Sequence, residues 1–357
     1  MALLRYWRFL QGVLTVQLKI FLIRLQEGRT FFRFPRQLKI AADGRGRRVI
    51  LYGIPYADWN APLSDRGLWS AVPGIAHVLR LPATPYGSRA RTDDVVIAMR
   101  TGHIVRRPGG RALEPTPRAV ATLEDKAKFA AYMAANGFGD CCPRTYAGRR
   151  EAAFPRVLKR TDLSASLGVT IAQSATHLEE LLRTRTFEGH PYILQVPVPG
   201  NIEHATYCVC KDGRVLWSCS FASDIGAPIA IKRENNAVPR QAIATPGPVL
   251  RQIEAVLRPL VFSGPCNVDY KLTADGRMQI FEINPRLGGT LMLSAQASEL
   301  RAPSPALSNT QARPAQRRAR PTVAYPNDRN SRTKHALDGM GHLAMYGREP
   351  SVALPHT

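Results

Sequence analysis

The chain has 357 residues, 45% of them hydrophobic, with 49 Lys and Arg against 27 Asp and Glu for a formal charge of +22. That length excludes one typical compact domain and predicts about two or three, and the apolar share is ample for real cores. The positive excess suits polyanionic partners such as nucleotides, nucleic acid or an anionic membrane surface, although free use of Arg at the two ends of the chain accounts for it as well.

Residues 1–47 form a basic, apolar N-terminal segment. Arg5, Arg8, Lys19 and Arg24 interrupt its apolar runs, so none reaches the roughly 18 residues of a membrane span. No signal-peptide cleavage pattern is evident. Three readings stay open: a basic amphipathic helix touching a membrane surface through residues 1–40, a helix packed on the next domain, or upstream sequence translated from a misplaced start. RRVILYGIP then predicts a buried strand running into Gly53, and SRARTDDVVIAMRTG holds a second strand, Val95 to Met99. Residues 48–115 therefore read as a small α/β domain. Its glycines do not form GxGxxG, so no dinucleotide site is expected.

LEPTPRAVAT reads as a linker. Thr122 reads as the cap of a helix with Glu124 and Asp125 in its first turn, an apolar stripe of Phe129, Tyr132 and Met133, and Gly137 as its stop. Strands and helices alternate to about Ser298. The tail, residues 299–357, is rich in Pro, Arg, Ser and Ala without periodicity, and is predicted to be disordered. The six cysteines (Cys141, Cys142, Cys208, Cys210, Cys219 and Cys266) include no CxxC pair and no zinc-like arrangement with His. Cys208 and Cys210 share one face of a strand as buried thiols, and a reducing cytoplasm fits best.

The chemistry concentrates in GPCNVDYKLTADGRMQIFEINPRLGG, from Gly264 to Gly289. ADG reads as a hairpin turn. On one arm Asn267, Asp269 and Lys271 point away from Val268 and Tyr270, and on the return arm Glu282 and Asn284 share a face. In register, two carboxylates and an amide oxygen converge, a hard oxygen site suited to Mg²⁺ with further ligands from phosphates. Arg286 just beyond can grip a phosphate bidentately.

This hairpin resembles the metal-binding hairpin of the ATP-grasp superfamily, nearest its carbamoyl-phosphate synthetase branch. The resemblance implies a two-lobed domain over residues 116–298, with lobes meeting near 195–200. The fold class expected is α/β, with α+β character in the ATP-grasp lobes. It implies Asp269, Glu282 and Asn284 as ligands for Mg²⁺ (or Mn²⁺), and Arg286 as a contact for phosphate or an acyl-phosphate. Upstream, FPRVLKRTDLSASLGVTIAQS resembles the family's strand, lysine and glycine-bearing loop. It implies Lys159 on the α/β phosphates of ATP and a loop over them holding Ser164, Ser166 and Gly168. Lys126 matches the first basic ATP contact. In YILQVPVPGNIEHATY, Gln195 to Val198 would bond adenine through their backbone, and Glu203 would sit near the ribose or another polar face of the nucleotide. Lys232 would face the γ-phosphate and the acceptor. Asp269 departs from the Glu or Gln of many relatives.

The activity implied is an ATP-dependent ligase that makes an acyl-phosphate from a small-molecule carboxylate for attack by an amine or thiol, with no specific nucleic-acid partner. Alternatives remain open: a catalytically impaired ATP-binding protein, or a peripheral membrane or polyanion binder acting through the basic ends. Plainer readings also remain open for each residue. The Asp269 face is then an ordinary polar strand face, Lys159 a solvated strand end, SASLG a plain loop, Gln195 a strand residue and His204 a surface residue.

Overall fold

The structure is a computed structural model; it describes residues 37–53, 63–64, 66–70, 74–81, 91–104, 112–150, 153–163, 166–232 and 240–288. The expectations for the N-terminal segment before residue 37, for Ser164 and for the tail lie outside the described residues. The chain divides into two compact units, Met1–Arg111 and Ala112–Thr357.

The first unit carries a four-stranded sheet in the order β1-β3-β2-β4, built from β1 (Gln37–Lys39), β2 (Arg47–Tyr52), β3 (Ile75–Leu81) and β4 (Val95–Ala98). β2 runs parallel to both β3 and β4, and β1 pairs antiparallel with β3. Val49, Ile50, Leu51 and Tyr52 are buried in succession, as a parallel strand covered on both faces requires. β1 lies inside the stretch read as an N-terminal segment; three residues are too few to carry an alternation signal. Short helices α1 (Arg66–Ser70) and α2 (Thr101–Ile104) accompany the sheet. Arg48 grips the fully buried Asp94 through two bonds, Nε–Oδ1 2.6 Å and Nη2–Oδ2 2.5 Å, the bidentate form in which a buried carboxylate is best compensated. The strand ends at Gly53 (φ +96°), where an added Cβ would lie 2.0 Å from His103 Nδ1.

The second unit begins with α3 (Pro117–Glu124) and α4 (Lys126–Ala135). The sequence reading of one helix capped by Thr122 is corrected here. Thr116 caps α3, its side chain accepting from Ala119 N–H with Pro117 at the first helical position, and Asp125 caps α4 by accepting from Ala127 and Lys128 N–H. Thr122 lies inside α3, and half of the supposed linker is helix. Gly137 (φ +77°) lies just past the end of α4 as expected.

Two antiparallel sheets follow. The smaller has the order β6-β5-β7, from β5 (Arg156–Arg160), β6 (Val169–Ala172) and β7 (Tyr192–Gln195), with helix α5 (Ala175–Leu182). The larger has the order β10-β9-β8-β11-β12, from β8 (Ile202–Lys211), β9 (Arg214–Asp224), β10 (Arg240–Ile243), β11 (Gly264–Leu272) and β12 (Met278–Asn284), with helix α6 (Gly247–Leu257) between β10 and β11. The β8–β9 hairpin turns at Asp212 (φ 52°) and Gly213 (φ 78°), the two positive values of a tight hairpin turn. The α/β class holds for the first unit, and the α+β character expected of the second is what the antiparallel sheets display.

One face of the large sheet is core. Leu123, Phe129, Met133, Ile253, Val256 and Leu257 from the helices pack on Cys208, Cys210, Cys266, Val268, Ile280 and Ile283. Each fully buried aliphatic side chain contributes roughly 1.5–3 kcal/mol, so this face fixes the sheet and leaves the other free for polar side chains. Among the described residues no helix is long and apolar enough to cross a membrane.

Candidate functional site

The free face of β11 and β12 carries the polar residues. Asp269 stands directly opposite Glu282, and Asn267 opposite Asn284. The register then shifts, with Tyr270 facing Ile280. Phe281 is therefore an extra residue on β12, a β-bulge. Met278 and Ile280 go to the core with Ile283, while Phe281 and Glu282, neighbours in sequence, both line one cavity. Strict alternation cannot place both there, and the bulge is what re-aims them. Lys159 Nζ lies 5.1 Å from the centre of the Phe281 ring, close enough for a cation–π attraction.

Two carboxylates this near repel. At about 5 Å and an effective dielectric near 20 the cost is roughly 3 kcal/mol. The protein answers asymmetrically. Burial, then the charges of Glu282 and Glu203, push Asp269 up to about 7. Burial also pushes Glu282 up, but Lys126, the Asn284 amide and Lys159 outweigh it and hold that carboxyl below its usual value. Lys126 Nζ is 3.3 Å from Glu282 Oε2 and donates to Leu163 O at 2.5 Å. Asn267 Nδ2 donates to Asp269 Oδ2 at 2.8 Å.

Asn284 departs from the sequence reading. Its Nδ2 donates to Glu282 Oε1 at 3.0 Å, and its Oδ1 accepts from Arg286 Nη2 at 3.3 Å. The amide nitrogen, not the oxygen, faces the carboxylates, because two acceptors draw donors. Asn284 would have to turn its amide over to serve as an oxygen ligand. Among the described residues no three His, Cys, Asp or Glu side chains gather as a metal cluster. Asp269 and Glu282 nevertheless fit Mg²⁺, which takes one or two carboxylates and completes its shell with water and phosphate oxygens.

The cavity beside them draws on both sheets. Lys126, Lys159, Lys232 and Lys271 line it, with Glu203 as a further acid. Val157, Ile171 and Val196 form an apolar wall together with Phe281. Lys159 is 9% exposed, and burial first, then repulsion from Lys126, lowers it to about 8 against the pull of Glu282 and Glu203. Lys232 Nζ donates to Ser223 Oγ at 3.1 Å and lies 3.6 Å from Glu203 Oε1. Burial lowers Lys232 and raises Glu203, each partly countered by the other.

Of the residues named from sequence, Lys126, Lys159, Ser166, Val198, Glu203, Lys232, Asp269 and Glu282 line this cavity. Gln195 does not. It is 4% exposed within β7, and its Nε2 donates to Thr145 Oγ1 at 3.1 Å. Gly168 (φ +67°) closes the loop onto β5, its carbonyl accepting from Arg160 N–H at 2.8 Å. Arg286 folds back on Asn284 and donates to Leu287 O at 3.1 Å. His204 stacks on Tyr270 with ring centres 5.0 Å apart and belongs to the opposite face. Sequence reasoning missed Phe281, which alternation sends to the core, and Lys271, which shares the Asp269 face but carries no motif.

Residues 220–328 match a family model described as ATP-grasp in the biosynthetic pathway with Ter operon. The match takes in the whole β11–β12 hairpin, and the ATP-grasp resemblance read from the sequence is shown there. No curated protein matches the chain. Solved structures similar to it include N5-carboxyaminoimidazole synthase from Aspergillus clavatus in complex with ADP and an aminoimidazole ribonucleotide (14% identity, 71% of this chain and 74% of that one, TM-score 0.47). D-alanine–D-alanine ligase from Bacillus anthracis complexed with ATP is another (17% identity, 70% and 89%, TM-score 0.47). A third is L-amino acid ligase from Bacillus licheniformis (16% identity, 69% and 68%, TM-score 0.43).

Proposed function

We propose that this ATP-grasp chain is a ligase that uses ATP to activate a small-molecule carboxylate as an acyl-phosphate, which an amine or thiol then attacks. The observation that carries the reading is the opposed pair Asp269 and Glu282 at a cavity ringed by Lys126, Lys159 and Lys232, each from a different segment. Lys126 pairs with Glu282 and Lys232 with Glu203; a divalent cation on the acids and a triphosphate on the ammonium groups would replace these pairs with stronger partners.

Asp269 and Glu282 would hold Mg²⁺, which supplies positive charge to the phosphate oxygens. Lys126 and Lys159 bind the phosphates, while the apolar wall of Val157, Ile171, Val196 and Phe281 takes the base, whose edge meets the backbone near Val198. Glu203 takes a polar edge of the nucleotide. Lys232 and Arg286 neutralise the γ-phosphoryl group as it leaves ADP for a carboxylate oxygen. The amine or thiol then adds to the carbonyl carbon, the bond to phosphate oxygen breaks, and inorganic phosphate leaves with that electron pair. The loop bearing Ser166 and Gly168 covers the phosphates and excludes water, which would otherwise hydrolyse the acyl-phosphate. The full chain incubated with Mg²⁺–ATP should release ADP and phosphate in response to particular carboxylic acids in a panel supplied with amines and thiols. ATP binding without release for any acid would leave a nucleotide-binding protein and overturn the ligase reading.

A further inference from the structure

The nucleotide reading gives tasks to Lys126, Lys159 and Lys232 and none to Lys271. That side chain leaves β11 on the Asp269 face and is 3% exposed. Its Nζ donates to Val198 O and to Pro228 O, both at 3.1 Å. The two carbonyls belong to different segments. Val198 lies on the linker between β7 and β8, and Pro228 lies on a strap that leaves β9. Gly200 N–H donates to the same Pro228 carbonyl at 3.0 Å, and Ile225 N–H donates to Asn201 O at 2.8 Å. Linker and strap therefore lie edge to edge, with a buried ammonium tying both to β11.

The surroundings suit that duty. Burial lowers the lysine, and the charge of Glu203 opposes it. An ammonium has three N–H donors, and two of them serve the carbonyls. Gly200 adopts φ +133°, and a Cβ there would approach Lys271 Cδ at 3.9 Å, so the linker passes close over the lysine stem. Both tied segments face the cavity: Val196, Pro197 and Val198 from the linker, Ile229, Ala230, Ile231 and Lys232 from the strap.

We propose that Lys271 is a positioning residue that fixes the linker against the strap and so sets the spacing between the Val196–Val198 backbone and Lys232. Its consequence for nucleotide rests on the reading above; the clamp itself does not. Hydrogen exchange on the ATP-free full chain tests the clamp. In Lys271→Met, which keeps the stem and loses the donors, the Gly200 and Ile225 amides should exchange at least ~10-fold faster while β11 and β12 amides hold. Lys271→Arg should restore much of the protection. Calorimetry with Mg²⁺–ATP should then show affinity about 10-fold weaker in the Met variant and partly recovered in the Arg variant. Unchanged Gly200 and Ile225 exchange, or an equal loss along β11 and β12, would overturn the proposal in favour of general core support. If the Met variant does not fold, Lys271→Gln, too short to reach both carbonyls, is read by the same two amides in the same way. A wild-type chain that binds no ATP would defeat the nucleotide reading and leave the exchange result intact.

Discussion

Lys126 Nζ stands 3.3 Å from Glu282 Oε2 while donating to Leu163 O, at the head of the loop that runs to Gly168. One ammonium thus neutralises a candidate metal ligand and holds the start of the candidate phosphate loop. The Lys126 side chain is 8% exposed and that of Glu282 23%. Breaking a fully buried pair costs about 3–5 kcal/mol, and this partly wet one should cost on the order of 2 kcal/mol. Lys126→Met should lower stability by that amount in chemical denaturation. Because Mg²⁺ no longer competes with the ammonium for Glu282, added Mg²⁺ should stabilise the variant more than the wild type, an effect read by melting with and without the ion.

Lys159, lowered to about 8, gives the site a pH dependence. The ammonium is the form that binds phosphate, so Mg²⁺–ATP affinity should hold below about pH 8 and weaken as pH rises through it. Stability runs the other way. The folded value lies below the ordinary 10.5, so the unfolded chain binds more protons between those values, and the nucleotide-free protein gains stability from this group as pH rises across that window. Lys159→Arg should remove the pH dependence of ATP affinity, measured by calorimetry from pH 7 to 9.5. A wild-type affinity that stays flat over that range would mean the lysine does not meet phosphate.

Gly168 is tested by its missing Cβ. At φ +67° an added Cβ would lie 3.0 Å from Arg160 Cβ and Cδ and from Leu163 Cδ1. Arg160 cannot easily yield, since it holds Asp162 through bonds of 2.8 and 2.5 Å and donates to Thr186 O at 2.9 Å. Gly168→Ala should cost about 1–2 kcal/mol in stability and weaken ATP binding several-fold by displacing the loop, both measurable on the same preparation by denaturation and titration.

The hairpin was legible because its chemistry sits at fixed offsets. The expected meeting of Asp269 and Glu282 across the turn is observed, but regular pairing from Tyr270–Ile280 would set Asp269 opposite Phe281, and the bulge is what brings Glu282 there. Local capping was legible in principle as well. Thr116 followed by Pro117 is a helix start, but Thr122 before Glu124 and Asp125 imitates one, and only the break at Asp125 decides between them. What could not be read was the bulge at Phe281, since an apolar residue between Ile280 and Glu282 fits a regular strand equally well. Nor could the turned amide of Asn284 be read, because sequence spacing does not say which end of an amide meets Glu282 and which meets Arg286, or the long reach of Lys271 to Pro228, because those residues are distant in sequence. Deleting Phe281 should test the bulge. The pairs on either side, Tyr270–Ile280 and Asp269–Glu282, already meet without it, so the strand would become regular with Met278, Ile280 and Ile283 still in the core and Glu282 still opposite Asp269. Cooperative unfolding should be kept, and the deletion and Phe281→Ala should both bind ATP roughly 10-fold less well.

Calorimetric titration of ATP into the full chain, with and without Mg²⁺, for wild type and Glu282→Ala, tests the central claim most directly. Wild type should bind ATP in a strongly Mg²⁺-dependent manner, and Glu282→Ala, though folded, should lose that dependence together with most of the affinity. Equal Mg²⁺-dependent binding by the two proteins would contradict the account.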